Sequence, residues 1–105
     1  EYSFMNTASS VAHTSIGIVG DATPGGWDVD TDMIRNPANP YLWSKIITLT
    51  EADVKFRAND AWDINWGSPA FPMGIGTLGG SNIAVKAGTY FVTFNTGTGE
   101  YYFLK

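Results

Sequence analysis

Apolar residues in this chain come in short runs cut by Gly, Pro, Asn and Asp, and within several runs they alternate with polar ones. A period of two marks a strand with one buried face, and such runs separated by turn residues mark an all-β domain. Ser15–Gly20 (SIGIVG) reads as a strand. Asp21–Met33 (DATPGGWDVDTDM) reads as a long connection opened by a Thr-Pro-Gly-Gly turn signal. Arg35–Pro40 (RNPANP) reads as a loop, because its two prolines withhold ladder donors. Tyr41–Thr50 alternates, with Trp43, Lys45, Ile47 and Leu49 on one side. After a tight Glu-Ala-Asp turn, Val54–Ala58 places Val54, Phe56 and Ala58 on one face and Lys55 and Arg57 on the other.

Residues 67–81 are rich in glycine and irregular, with Phe71 and Met73 as expected anchors. Asn82–Asn95 predicts a short strand, an Ala-Gly turn and a strong strand whose Tyr90, Val92 and Phe94 point inward, with Phe91 and Thr93 outward. A Thr-Gly-Thr-Gly-Glu turn then sends Tyr101–Lys105 back as a hairpin. No segment sustains helical periodicity. About seven short antiparallel strands with closely spaced turns predict a β-sandwich over residues 15–105. Residues 1–14 read as a leader or linker, with a short strand around Tyr2–Met5.

Composition narrows the function classes. A chain of 105 residues is one domain with a small core. It has no cysteine, so no disulfide framework and no thiolate metal site. Six cations against ten acids give a net charge of −4, which argues against a nucleic-acid partner. No apolar run is long enough for this domain to insert in a membrane. Aromatic residues make up 14% of the chain, so some large rings are expected at the surface.

Catalysis finds little support. The one histidine, His13, lies in the leader beside Ser9 and Ser10, where a serine-type base is not expected. Loop acids such as Asp28 and Asp63 could form a glycosidase pair, but a small sandwich offers little room for a deep cleft. Asp28-Val-Asp-Thr-Asp32 imitates the start of a calcium loop, yet Met33 stands where that loop needs glycine and Asn39 where it needs a bidentate glutamate. No metal and no cofactor is expected.

The tryptophans carry more. In KFRANDAWDINWG (Lys55–Gly67), Trp62 and Trp66 lie near two cations and two asparagines. An indole can cover the apolar C–H face of a pyranose, removing about 50–100 Å² of apolar surface, worth roughly 1–2.5 kcal/mol. Polar side chains around the floor would fix the hydroxyls. A tryptophan in a sandwich is also commonly a core or corner residue, and both readings stay open for each of the four.

The segments IVGDATPGGWDVDTDM, KFRANDAWDINWGSPAFPMGIGTLGGSNIAV and AGTYFVTFNTGTGEYYF, in that order, resemble the repeated carbohydrate-binding domains of the SusE/SusF-like outer-membrane lipoproteins of Bacteroidetes, over about residues 16–105. The resemblance implies an immunoglobulin-like sandwich that binds oligo- or polysaccharide, glucan above all, without catalysis. It implies a parent of several tandem domains, of which this would be the last. That parent would be lipid-anchored outside this chain, at the extracellular face of the outer membrane, and would work with a SusC/SusD-type import complex. Residue by residue, it makes Trp27 and Trp66 the expected ring platform and Arg57 and Asn59 the polar rim, with Lys45 joining them. Trp43 is a further candidate ring, and Trp62 is expected to close the turn after its strand. The alternatives are a structural spacer of the same fold without a ligand, and a glycan-processing enzyme using loop acids.

Overall fold

The computed structural model describes residues 13–105. The expected strand at Tyr2–Met5, and all of the leader before His13, lie outside the described residues. The described chain is an all-β sandwich with no helix. The first sheet contains β1 (Ile16–Gly20), β2 (Gly26–Asp32), β5 (Asp53–Ala58), β6 (Asn65–Gly67), β8 (Thr77–Leu78) and β9 (Ile83–Ala84). Its order is β2-β1-β5-β6-β8, with β9 also pairing β5. The second contains β3 (Ile34–Asn36), β4 (Asn39–Leu49), β7 (Met73–Ile75), β10 (Gly88–Asn95) and β11 (Glu100–Leu104), in the order β3-β4-β10-β11-β7. All pairings are antiparallel. With β1 beside β5 in one sheet and β4-β10-β11 in the other, the central strands pair as in an immunoglobulin-like sandwich.

The core lies between the sheets, where the inward sides of their strands meet. Phe56 of β5 and Phe94 of β10 stack across it, with centroids 4.2 Å apart and planes 6° from parallel. Phe103 and Tyr101 of β11 close around Phe56. The inward set Tyr90, Val92 and Phe94 is as the alternation predicts. Phe71 packs against Tyr90 and Phe103 at the core's border.

Several local expectations are corrected. Asp21–Met33 is not a bare connection, because Gly26–Asp32 pairs with β1. Within Arg35–Pro40 the chain does turn, but β3 and β4 run in from either side, with Pro40 already inside β4. Residues 67–81 hold β7 and β8. Met73 is not an anchor: it sits in β7 and is exposed.

Candidate functional site

The outer face of the first sheet is built on Lys55 and Arg57, the polar side of β5. Alternation put these cations outward, as in an ordinary half-solvated strand. Both are buried nonetheless: two irregular segments meet over Arg57, and Lys55 is held against Asn65 and the Gly80 carbonyl.

The first segment is a bulge in β2. Ile18 pairs with Thr31 and Gly20 with Gly26; Val19 alone stands between them on β1, while Trp27, Asp28, Val29 and Asp30 stand between their partners on β2. The excess chain must leave the ladder, and it bends over the sheet. Gly26, at φ 63°, supplies the left-handed residue that enters it. Asp30 is thereby laid on Gly17, where an added Cβ would come within 2.6 Å of the Asp30 Cβ and Oδ2.

The second segment is the turn between β5 and β6. Asn59 and Asp60 both adopt left-handed backbone, at φ 59° and 53°. Asn and Asp tolerate that region better than most side chains. The Ala58 N–H donates to the Ile64 carbonyl, closing an excursion that lifts Trp62 onto the outer face.

The two segments meet through their rings. Trp27 and Trp62 have centroids 5.9 Å apart and planes tilted by 40°. The Arg57 guanidinium carbon lies 4.7 Å from the centre of the Trp62 ring, a cation–π contact. Arg57 Nε donates to Asp30 Oδ1 at 2.5 Å, and Nη2 reaches the same oxygen. Asp30 Oδ2 is buried with no hydrogen-bond partner among the described residues. Burial raises the Asp30 carboxyl above its ordinary value; Arg57 opposes the rise, and the Asp60 and Asp32 charges add to it.

Lys55 braces the turn from the other side. Its ammonium donates to Asn65 Oδ1 and to the Gly80 carbonyl, each at 2.6 Å. The Asn65 amide in turn donates to the Trp62 carbonyl at 2.9 Å. Burial lowers the Lys55 pKa below its usual value. Beside the rings opens a shallow groove of about 310 Å³ lined by Asp28, Val29, Asp30, Asp32, Arg57 and Asp60. Among the described residues, no group of three or more His, Asp or Glu is placed to hold a metal ion.

The expected site residues separate. Trp27 and Arg57 belong to this face. Trp66 does not: β6 pairs it with Phe56, whose side faces the core, and the indole is 0% exposed against Phe94 and His13. It has no face to offer a ligand. Trp43, opposite Phe94, is 3% exposed and is likewise core. Lys45 stands opposite Val92 in the second sheet, away from this face. Asn59 lies in the turn that carries Trp62; it is exposed, and its Oδ1 accepts from Thr14. Arg57 is not a free rim donor, since Asp30 and Trp62 already hold it. Trp62, expected to close a turn, is 44% exposed and is the ring that lies beside Trp27, the place expected for Trp66. The Asn59-Asp60 dipeptide was the signal that could have lifted it from the core, because it favours a left-handed excursion before Trp62. Comparison with protein families, curated proteins and solved structures finds no match for the chain.

Proposed function

We propose that this domain is a non-catalytic carbohydrate-binding module whose platform is Trp27 with Trp62. The observation that carries the reading is the ring pair itself: two indoles reaching the surface, 5.9 Å apart and inclined by 40°, over a guanidinium held in place. A platform fixed before the ligand arrives loses little ordering entropy on binding. Each sugar face laid on an indole contributes roughly 1–2.5 kcal/mol, so affinity in the micromolar to millimolar range is expected.

Two inclined rings suit a curved chain, which agrees with the glucan implied by the sequence resemblance. Asp28 and Asp60 at the groove, and Asn59 in the adjoining turn, would meet the hydroxyl rim. Arg57 is the cation lining the groove, and Asp30 already matches its charge. The surrounding acids therefore favour neutral saccharides over uronate-rich or sulfated ones. Following the resemblance, the domain would concentrate oligosaccharide at the extracellular face of the outer membrane for a SusC/SusD-type importer, with the lipid anchor elsewhere in the parent protein.

Affinity electrophoresis in gels containing starch, mannan, xylan or a polyuronate tests the reading. Retardation by a neutral glycan is expected, lost in Trp62→Ala and Trp27→Ala and unchanged in Lys45→Ala. Unaltered mobility in every neutral gel would leave a spacer of the same fold. Retardation that survives in both tryptophan variants would move the site elsewhere.

A further inference from the structure

The outer face of the second sheet is apolar, and nothing among the described residues covers it. One row of paired residues crosses all five strands: Ile34, Ser44, Thr93, Tyr102 and Met73. The next row is Ile46, Phe91 and Leu104. Ile46 is 66% exposed and Ile34 63%, and Phe91, Tyr102, Leu104 and Met73 are all exposed with them. Ile75 extends the patch opposite Glu100. Together these side chains offer about 600–700 Å² of largely apolar surface, more than the largest patch of most monomers and close to the roughly 800 Å² per partner of a standard interface.

We infer that this face is the contact between two copies of the chain, joined back to back. Three observations select a second copy. Neither row contains a charged residue, and the one acid on this side of β11, Glu100, stands beyond them opposite Ile75, so the two rows can meet without burying an unpaired charge. The acids of a chain with net charge −4 lie mostly in the first sheet and its turns, including Asp28, Asp30, Asp32, Asp53, Asp60 and Asp63, which this arrangement keeps apart. The edge strands of this sheet, β3 and β7, are only three residues long, so pairing through its edges offers few ladder bonds and its face is the larger route. The contact is isologous: the same rows meet across a twofold axis, with the sheets about 10 Å apart. The two indole platforms then point away from each other. The inference does not depend on what those platforms bind.

Sedimentation equilibrium of the chain across the micromolar range tests it. A concentration-dependent dimer is expected. Ile46→Lys and Leu104→Lys, both at exposed positions, should each raise its dissociation constant at least about tenfold while keeping the β-sheet circular dichroism and melting of the parent. Trp62→Ala should leave the dimer intact. A monomer throughout the range overturns the inference. So does a dimer that persists undiminished in both folded lysine variants, or one lost in Trp62→Ala. Saccharide retardation of the same variants is scored separately, so the two readings can fail independently.

Discussion

The two outer faces of this sandwich reverse the usual relation between polarity and exposure. On the first sheet, the outward positions of the central strand are cations, and they are buried: Arg57 is 5% exposed. On the second, the outward positions are Ile46, Phe91 and Leu104, and they lie open. The difference follows from what covers each sheet. A bulge and a turn fold over Arg57 on the first, and β6 and the chain after β8 bring partners to Lys55, so the buried charges are met by Asp30, Asn65 and the Gly80 carbonyl. Nothing among the described residues folds over the second. A covered polar face can hold side chains in fixed positions, and an open apolar face gains free energy only from a partner.

The sharpest way to break this contrast is to truncate two indoles four positions apart. Trp66→Ala empties a fully enclosed volume beside Phe94 and should cost about 3–5 kcal/mol in urea unfolding. Trp62→Ala removes a ring that is already partly in water, and its stability loss should stay under about 1 kcal/mol. Saccharide retardation should disappear in the second variant. If Trp62→Ala proved as destabilising as Trp66→Ala, the ring would be structural and the platform reading would lose its basis.

The next effect concerns the ion pair. Asp30→Ala leaves a buried guanidinium without its partner and should cost about 3 kcal/mol, since breaking one side of a buried pair strands the other charge. Glu51→Ala breaks the exposed Lys86–Glu51 contact at 3.4 Å and should change nothing measurable. Asp30→Ala should also release Arg57 from beneath Trp62, seen as a shift in tryptophan emission. Equal stability of the two variants would mean that the first sheet's outer face is effectively solvated.

Lys55→Met is a milder probe of the same scaffold. It keeps the aliphatic stem but removes donors to Asn65 and Gly80, with an expected cost of about 1–3 kcal/mol from the acceptors left unpaired. Asn65 would then hold the Trp62 carbonyl less firmly, and saccharide affinity should fall without being abolished. Unchanged affinity in a folded Lys55→Met would separate the brace from the platform.

Much of the fold was legible because strand alternation is local. The inward side of β10 could be read from Tyr90, Val92 and Phe94, and the inward side of β5 from Val54, Phe56 and Ala58. What the same pattern could not show was the cover on the other side of β5. That cover comes from Asp30 and Trp62, on segments whose placement depends on a bulge register and on two left-handed residues. Trp62 and Trp66 were exchanged for a related reason. Trp66 is inward because it pairs opposite Phe56, a non-local fact about a strand of three residues. The glycine after it also has a cause outside its own segment: a Cβ at Gly67 would lie 1.8 Å from the Ser81 carbonyl oxygen. The Asn65-Trp66-Gly67 motif is therefore a packing motif, and the surface ring comes from the turn before it.

The smallest expected effect lies at the edge of the core. His13 is buried with its ring 5.6 Å from that of Trp66, nearly perpendicular to it, and its Nε2 has no partner among the described residues. Burial holds its pKa below the ordinary 6.5. As the pH falls through 6.5, the unfolded chain takes up a proton at this ring while the folded chain does not. Stability therefore declines with acidification from there down to the lowered folded value, and is fully regained above 6.5. This is the chain's only histidine, so His13→Gln should flatten the slope between neutrality and the carboxylate range. Urea midpoints measured across that interval would show it. An identical slope in the variant would mean that the imidazole titrates as freely in the folded protein as in the unfolded chain, and that the seal over Trp66 is open to water on that side.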